Sequence, residues 1–173
     1  MASAVITTSQ RLTVRTLTEE DAPFLADLHG RAEVVEPLGM EPSTGVQEER
    51  ARLDRWADLF GDARDVGVWG AETGDGSLVG LVLLKTLRPQ GDHDGYEVGW
   101  RLHPDAWGNG YATEAAAAVI DVAFTKRDLD VVYAVVKPTN PKSRAVADRL
   151  AMTLVGELVF DGVLHDLLAI VRP

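Results

Sequence analysis

The sequence contains no cysteine, which removes disulfide bonds, thiolate nucleophiles and cysteine metal sites together. Its four histidines, at positions 29, 93, 103 and 165, are scattered without ligand spacing, so no metal site is expected. No apolar run approaches the ~18 residues of a membrane span, and residues 1–10 lack the basic start and apolar core of a signal peptide. A cytoplasmic protein without a membrane partner is expected. Basic residues are few: 17 Lys and Arg stand against 27 Asp and Glu, a net charge of −10. That balance argues against a nucleic-acid partner; it suits a cationic one, or serves solubility alone. No internal repeat, linker or low-complexity segment occurs.

What is present suits one domain spanning 1–173, with 46% hydrophobic residues to build a core. Residues 11–17 alternate as a first strand. Thr18 to Asp21 open a helix with acids in its first turn, Phe24, Leu25 and Leu28 on one face and Gly30 as its stop. An irregular stretch, 34–44, leads to a second helix over 47–60 with Leu53, Trp56, Leu59 and Phe60 inward. Residues 66–71 and 78–87 form a hairpin across Gly74 and Gly76, beside a strand at Tyr96. A central helix over 110–126 is apolar on nearly all sides, with Glu114, Asp121 and Thr125 as a polar stripe. Strand, helix, strand and strand follow, giving an α/β fold.

The most informative segment is 97–124. An alternating strand (Tyr96, Val98, Trp100, Leu102) runs through Trp107, Gly108, Asn109, Gly110, Tyr111, Ala112 and Thr113 into the alanine-rich helix. Two glycines spaced by one residue let the backbone turn tightly with no Cβ in the way, so that N–H groups converge on an anion at a helix N-terminus. A pyrophosphate is the expected ligand. A Walker loop requires a lysine, and none occurs between Lys85 and Lys126. A dinucleotide fingerprint requires glycine or alanine where Thr113 stands, and Asp130 precedes the next strand instead of following one.

The run from Trp107 to Ala115 resembles the acyl-CoA loop of the GNAT N-acetyltransferase superfamily, Q/R-x-x-G-x-G/A. Gly110 and Ala112 match its last two positions, and Trp107 stands at the Q/R position, a departure seen in the RimJ/RimL-like branch. The segment from Asn140 through Ser143, Val146 and Met152 to Gly156 resembles that branch's N-x-x-S-x-x-V-x-x-x-x-x-M/F-x-x-x-G. The opening 10–15 and His165-Asp166 before the last strand are also similar to it, so the resemblance covers nearly the whole chain.

The resemblance implies a GNAT-like mixed, mostly antiparallel central sheet flanked by helices, with acetyl-CoA as co-substrate. It implies a CoA site built from Trp107, Gly108, Asn109, Gly110, Tyr111, Ala112 and Thr113, from the backbone of Trp100 and Leu102, and from Asn140 and Ser143. Ser143 is then the acid that protonates the departing thiolate. Asn140 before Pro141 also reads as a helix N-cap. Ala147 stands where many GNAT enzymes carry a tyrosine. Glu97 is the candidate catalytic carboxylate, although counted from the loop it is one residue out of register, which on a strand means the opposite face and favours a structural role. His165 reads as structural or as a residue of the acceptor groove. Lys142 and Arg144 read as solvated charge or as partners of a CoA phosphate.

The expected activity is direct transfer of acetyl to a primary amine, with a protein or peptide N-terminal α-amine favoured over a small amine. A non-catalytic acyl-CoA sensor and a nucleotide-binding module are the other classes. The sequence is compatible with a homodimer.

Overall fold

A computed structural model describes residues 3–87, 95–160 and 162–173; His93 lies outside them. In chain order the elements are β1 (Val5–Thr8), β2 (Leu12–Thr16), α1 (Ala22–His29), α2 (Ala32–Val35), α3 (Val46–Phe60), β3 (Gly67–Thr73), β4 (Leu78–Thr86) and β5 (Tyr96–Leu102). Then come α4 (Tyr111–Thr125), β6 (Val131–Val136), α5 (Pro141–Arg149), β7 (Thr153–Phe160) and β8 (Val163–Val171). The strands form one sheet in the order β1-β2-β3-β4-β5-β6-β8-β7. Every neighbouring pair is antiparallel except β5 and β6, which are parallel and registered only at Glu97 and Tyr133. The expected mostly antiparallel α/β sheet is therefore present. Beyond Glu97 the two parallel strands part.

Both faces of the sheet are covered, which is why its central strands read as nearly continuous apolar runs. α4 lies on one face, where Ala115, Ala116, Val119 and Ala123 pack on Val14, Trp69, Val82, Leu84 and Val98. The small alanine side chains let the helix approach the strands closely. Val146 and Ala147 of α5, and Leu150 just after it, join the same core. On the other face Leu25, Leu28, Val34 and Val35 pack on Leu81, with Leu53 and Trp56 of α3 against them. Alternation along β5 thus sends Val98 and Trp100 toward α4, and Glu97, Gly99 and Arg101 toward α1 and α2.

Three local expectations change. The strand over 11–17 is the second strand; β1 precedes it as an edge, too short for its alternation to stand out. The stretch 34–44 is not wholly irregular, because α2 and a 3₁₀ turn, Glu36–Leu38, occupy it up to Gly39 at φ 70°. Leu59 is 71% exposed instead of inward. Leu53, Trp56 and Phe60 share one helical stripe at i, i+3 and i+7, and Leu59 falls one residue, about 100°, off it.

Candidate active site

The site begins where β5 ends. His103 precedes a 3₁₀ turn, Pro104–Ala106, and its Nδ1 accepts from the Asp105 N–H at 3.3 Å. The Trp107 indole donates back to the Leu102 carbonyl at 2.9 Å, folding the loop against the strand it leaves. Gly108 and Gly110 both have φ of +79°, in the left-handed region where a Cβ is strained, and Gly110 is the N-cap of α4. The loop is fastened from outside by the β1–β2 turn. Arg11 donates to the Asn109 carbonyl at 3.0 Å, pairs with Glu114 at 2.6 Å and stacks over the Tyr111 ring at 4.8 Å. Ser9 adds a 2.7 Å bond to Glu114.

This geometry leaves donors without partners. Glu114 is the first residue of α4 whose N–H meets a backbone carbonyl, that of Gly110 at 3.1 Å; the N–H groups from Gly108 to Thr113 meet none among the described residues. The Thr113 hydroxyl is buried with no hydrogen-bond partner. A cradle of unpaired donors at a helix N-terminus fits an anion such as a pyrophosphate. On the facing side, the Lys142 ammonium of α5 sits 3.6 Å from the centre of the Trp107 ring, and Arg149 lines the same groove.

The groove has a volume of about 760 Å³ and follows the gap between the parting ends of β5 and β6. Trp100, Leu102, Trp107, Gly108, Gly110, Tyr111, Ala112, Thr113, Asn140 and Ser143 all line it. Asn109 does not; its side-chain amide turns inward to the carbonyls of Ala106 and Trp107, both at 3.2 Å. Asn140 caps α5 by accepting from the Ser143 N–H at 3.1 Å. Ser143 is half-buried, and its hydroxyl makes no hydrogen bond to another described residue.

A second cavity of about 510 Å³ is lined by Leu83, Lys85, Glu97, Arg101, Lys137 and His165, among others. The two cavities share Pro37, Leu38, Trp100, Arg101, Asn140 and Ser143. The shared residues place the two cavities side by side, as adjoining halves of one region. Glu97 faces the second half, where its carboxylate pairs with Lys85 at 2.9 Å directly across the β4–β5 ladder. His165 lies there too; its Nδ1 donates to the Val163 carbonyl at 2.9 Å, which leaves Nε2 as the unprotonated nitrogen of the neutral ring. Asp166 pairs with Arg144 at 3.1 Å, which removes Arg144 from the groove. Ala147 is buried on the core side of α5. Among the described residues no cluster suited to a metal ion occurs.

Sequence reasoning missed a buried relay behind the second cavity. Arg101 donates from Nη1 to His29 Nε2 at 2.9 Å, and His29 Nδ1 meets Glu49 Oε2 at 2.8 Å. Arg52 donates to the same Glu49 oxygen at 3.0 Å. His29 and Glu49 are wholly buried. Burial pulls His29 below its ordinary range, and the nearby Arg101 charge adds to this against the opposing pull of Glu49. Burial alone would raise Glu49, but the His29 hydrogen bond and neighbouring cations outweigh it and hold the carboxyl below its usual value. Desolvation brings Arg101 down to about 10, still charged at neutral pH. The available signal was alternation: Arg101 shares the Glu97 face of β5, a charged residue among apolar ones.

Residues 11–153 match the family model for the acetyltransferase (GNAT) domain. The chain is 26% identical over 151 residues to the uncharacterized N-acetyltransferase YoaA of Bacillus subtilis (strain 168), covering 87% of this chain and 84% of that one. Its structure is similar to Mycobacterium smegmatis RimJ in complex with CoA-disulfide, with a TM-score of 0.80 at 22% identity over 98% of this chain and 87% of that one. It is also similar to the spermidine N-acetyltransferase from Vibrio cholerae in complex with CoA and spermine, with a TM-score of 0.73 at 22% identity over 92% and 95% of the two chains.

Proposed function

The chain belongs to the GNAT acetyltransferase family, whose members take acetyl from acetyl-CoA, and from this premise we propose a RimJ/RimL-like enzyme that acetylates the N-terminal α-amine of a protein or peptide. The observation that carries the reading is the junction of the two cavities at Trp100, Asn140 and Ser143. A donor in the first half and an amine in the second meet there without any covalent enzyme intermediate.

The residues of the first half fit acetyl-CoA. The unpaired N–H groups from Gly108 to Thr113 and the orphaned Thr113 hydroxyl suit the pyrophosphate, with Lys142 and Arg149 as nearby cations. The edge of β5 near Trp100 and Leu102, left without β6 beyond Glu97, offers backbone groups to the two amides of the pantetheine arm. The Leu102 carbonyl already accepts from the Trp107 indole and keeps one lone pair for this purpose. A backbone donor at Trp100 supports the oxyanion formed as the amine attacks, an effect worth about 3 kcal/mol.

In the transfer, the amine nitrogen bonds to the thioester carbonyl carbon and the carbon–sulfur bond breaks. Ser143 hands its hydroxyl proton to the departing thiolate, and the proton that the nitrogen sheds as the amide forms restores the hydroxyl, so that free thiol and amide leave. The amine must arrive neutral, which near pH 7 costs about 1 kcal/mol for an α-amine and about 5 for a lysine. The Glu97 carboxylate is engaged by Lys85, so the acceptor half holds no carboxylate free of a cation among the described residues. That favours the α-amine.

The test is release of free CoA thiol from acetyl-CoA, which a chain without cysteine permits without background. Three acceptors are offered separately: a peptide with a free N-terminus, its N-terminally blocked twin containing lysine, and spermidine. Turnover confined to the first is expected. Turnover confined to spermidine or the blocked peptide would overturn the assigned acceptor.

A further inference from the structure

The acceptor half of the passage reverses the charge of the molecule around it. The chain carries a net charge of −10, yet among the described residues the ionic side chains on these walls are Lys85, Arg101, Lys137 and Glu97. Lys85 and Glu97 neutralise one another. Arg101 and Lys137 enter no ion pair among the described residues: Arg101 donates to the His29 imidazole and lies 4.0 Å from the Met40 sulfur, and Lys137 reaches the Glu36 carbonyl at 3.4 Å. Nε and Nη2 of Arg101 have no hydrogen-bond acceptor among the described residues.

A guanidinium with open donors in a narrow, partly desolvated passage is costly unless an anion meets it. Its planar fork matches a carboxylate with two parallel N–H bonds, a geometry that an ammonium does not reproduce. The His29–Glu49 relay fixes which edge of the fork stays open. Glu49 accepts from the His29 Nδ1–H, so Nε2 is the acceptor that holds Nη1, and the remaining donors are left for a ligand. Arg101 also borders the donor half, so an anion bound to it lies close to the reacting amine.

Resting on the acetyl-transfer reading, we infer that the acceptor is an anionic amine: a primary amine with a carboxylate a few bonds away, held by Arg101, with Lys137 adding to the field. The shared chemistry has two sources, a free acidic amino acid or the acidic first residue of a peptide. A polyamine would bring further positive charge against two unpaired cations, so the same groups that attract the acidic amine exclude it.

The test compares initial rates with a peptide that begins with aspartate, its asparagine twin, free aspartate and spermidine, for the native protein, Arg101→Gln and Arg101→Lys. The expected kcat/KM for the aspartyl peptide exceeds that of the asparaginyl twin by about ten-fold or more, as a charge-assisted pair predicts. Arg101→Gln brings the ratio close to one, and Arg101→Lys, which keeps the charge and guards against misfolding as the cause, retains part of it. Free aspartate outpacing the peptide assigns the carboxylate to a small molecule, and the reverse assigns it to a peptide; either upholds the inference. Equal or faster turnover of the asparaginyl twin or of spermidine overturns it, as does a ratio that Arg101→Gln does not move. Calorimetric binding of the N-acetyl-aspartyl and N-acetyl-asparaginyl peptides to the CoA-loaded protein supplies a readout without turnover. If no acceptor turns over, the acetyl-transfer reading falls while binding still decides the anion: an acidic preference lost in Arg101→Gln upholds it, and equal binding overturns it.

Discussion

Arg101 Nη1 and His29 Nε2 lie 2.9 Å apart, joining the last turn of α1 to the β5 strand between the two halves of the passage. The bond orients a cation through a neutral imidazole whose proton is assigned, by its Glu49 partner, to Nδ1. Replacing His29 with Phe leaves the wholly buried Glu49 carboxylate without its imidazole donor and Arg101 without its acceptor. The expected loss is about 3 kcal/mol of unfolding free energy, read from urea denaturation. A loss below about 0.5 kcal/mol would mean the relay is not part of the folded framework.

The same relay sets an acid limit on stability. His29 is held below 6.5 in the folded chain, so below about pH 6.5 the unfolded chain binds a proton that the folded one refuses, and stability falls as pH falls. Glu49, held below 4.5, adds a loss of the same sign at lower pH. Thermal melts should therefore show a lower Tm at about pH 5.5 than at about pH 7.5, with a smaller drop in His29→Gln. A Tm that rises on acidification would contradict this assignment.

Gly110→Ala should weaken acetyl-CoA binding about ten-fold, because a side chain at φ +79° costs about 1–2 kcal/mol and the loop relaxes out of its donor array to relieve it. Gly76→Ala in the β3–β4 turn carries a similar strain at φ +86°. It should lose stability while keeping its affinity. Calorimetric titration of both variants separates loop geometry from strain, and equal affinities would remove the loop from the binding site.

Ser143→Ala should lower kcat by about 100-fold with the dissociation constant for acetyl-CoA almost unchanged, as expected for a proton donor used only in the transition state. Asn140→Ala should instead cost about 1 kcal/mol of stability through its lost N-cap. Steady-state rates beside equilibrium binding check both, and an unchanged kcat in Ser143→Ala would place the leaving-group proton elsewhere.

The loop that lines the first cavity was legible in the sequence because its determinants are local. Gly108 and Gly110 follow an alternating strand and precede a helix within a few residues, so backbone conformation alone defines the cradle. The central helix and the β3–β4 hairpin were legible for the same reason. β1 escaped because four residues carry too little alternation, and Leu59 because one residue separates the inward stripe of α3 from its solvent side. The second cavity is built from contacts distant in sequence: His29 meets Glu49 20 residues away and Arg101 72 residues away. No periodicity reports such a partnership. Glu97 is intermediate, since alternation assigned it a face and only the folded sheet revealed Lys85 opposite it.

The central claim is that donor and acceptor occupy one passage together and react directly where its halves meet. Initial rates at several fixed concentrations of an α-amine peptide, with acetyl-CoA varied, test this most directly. Double-reciprocal lines that intersect, with no acetyl left on protein incubated with acetyl-CoA alone, are the predicted result. Parallel lines together with an acetylated protein would contradict it, since they require the acetyl group to rest on the enzyme before the amine arrives.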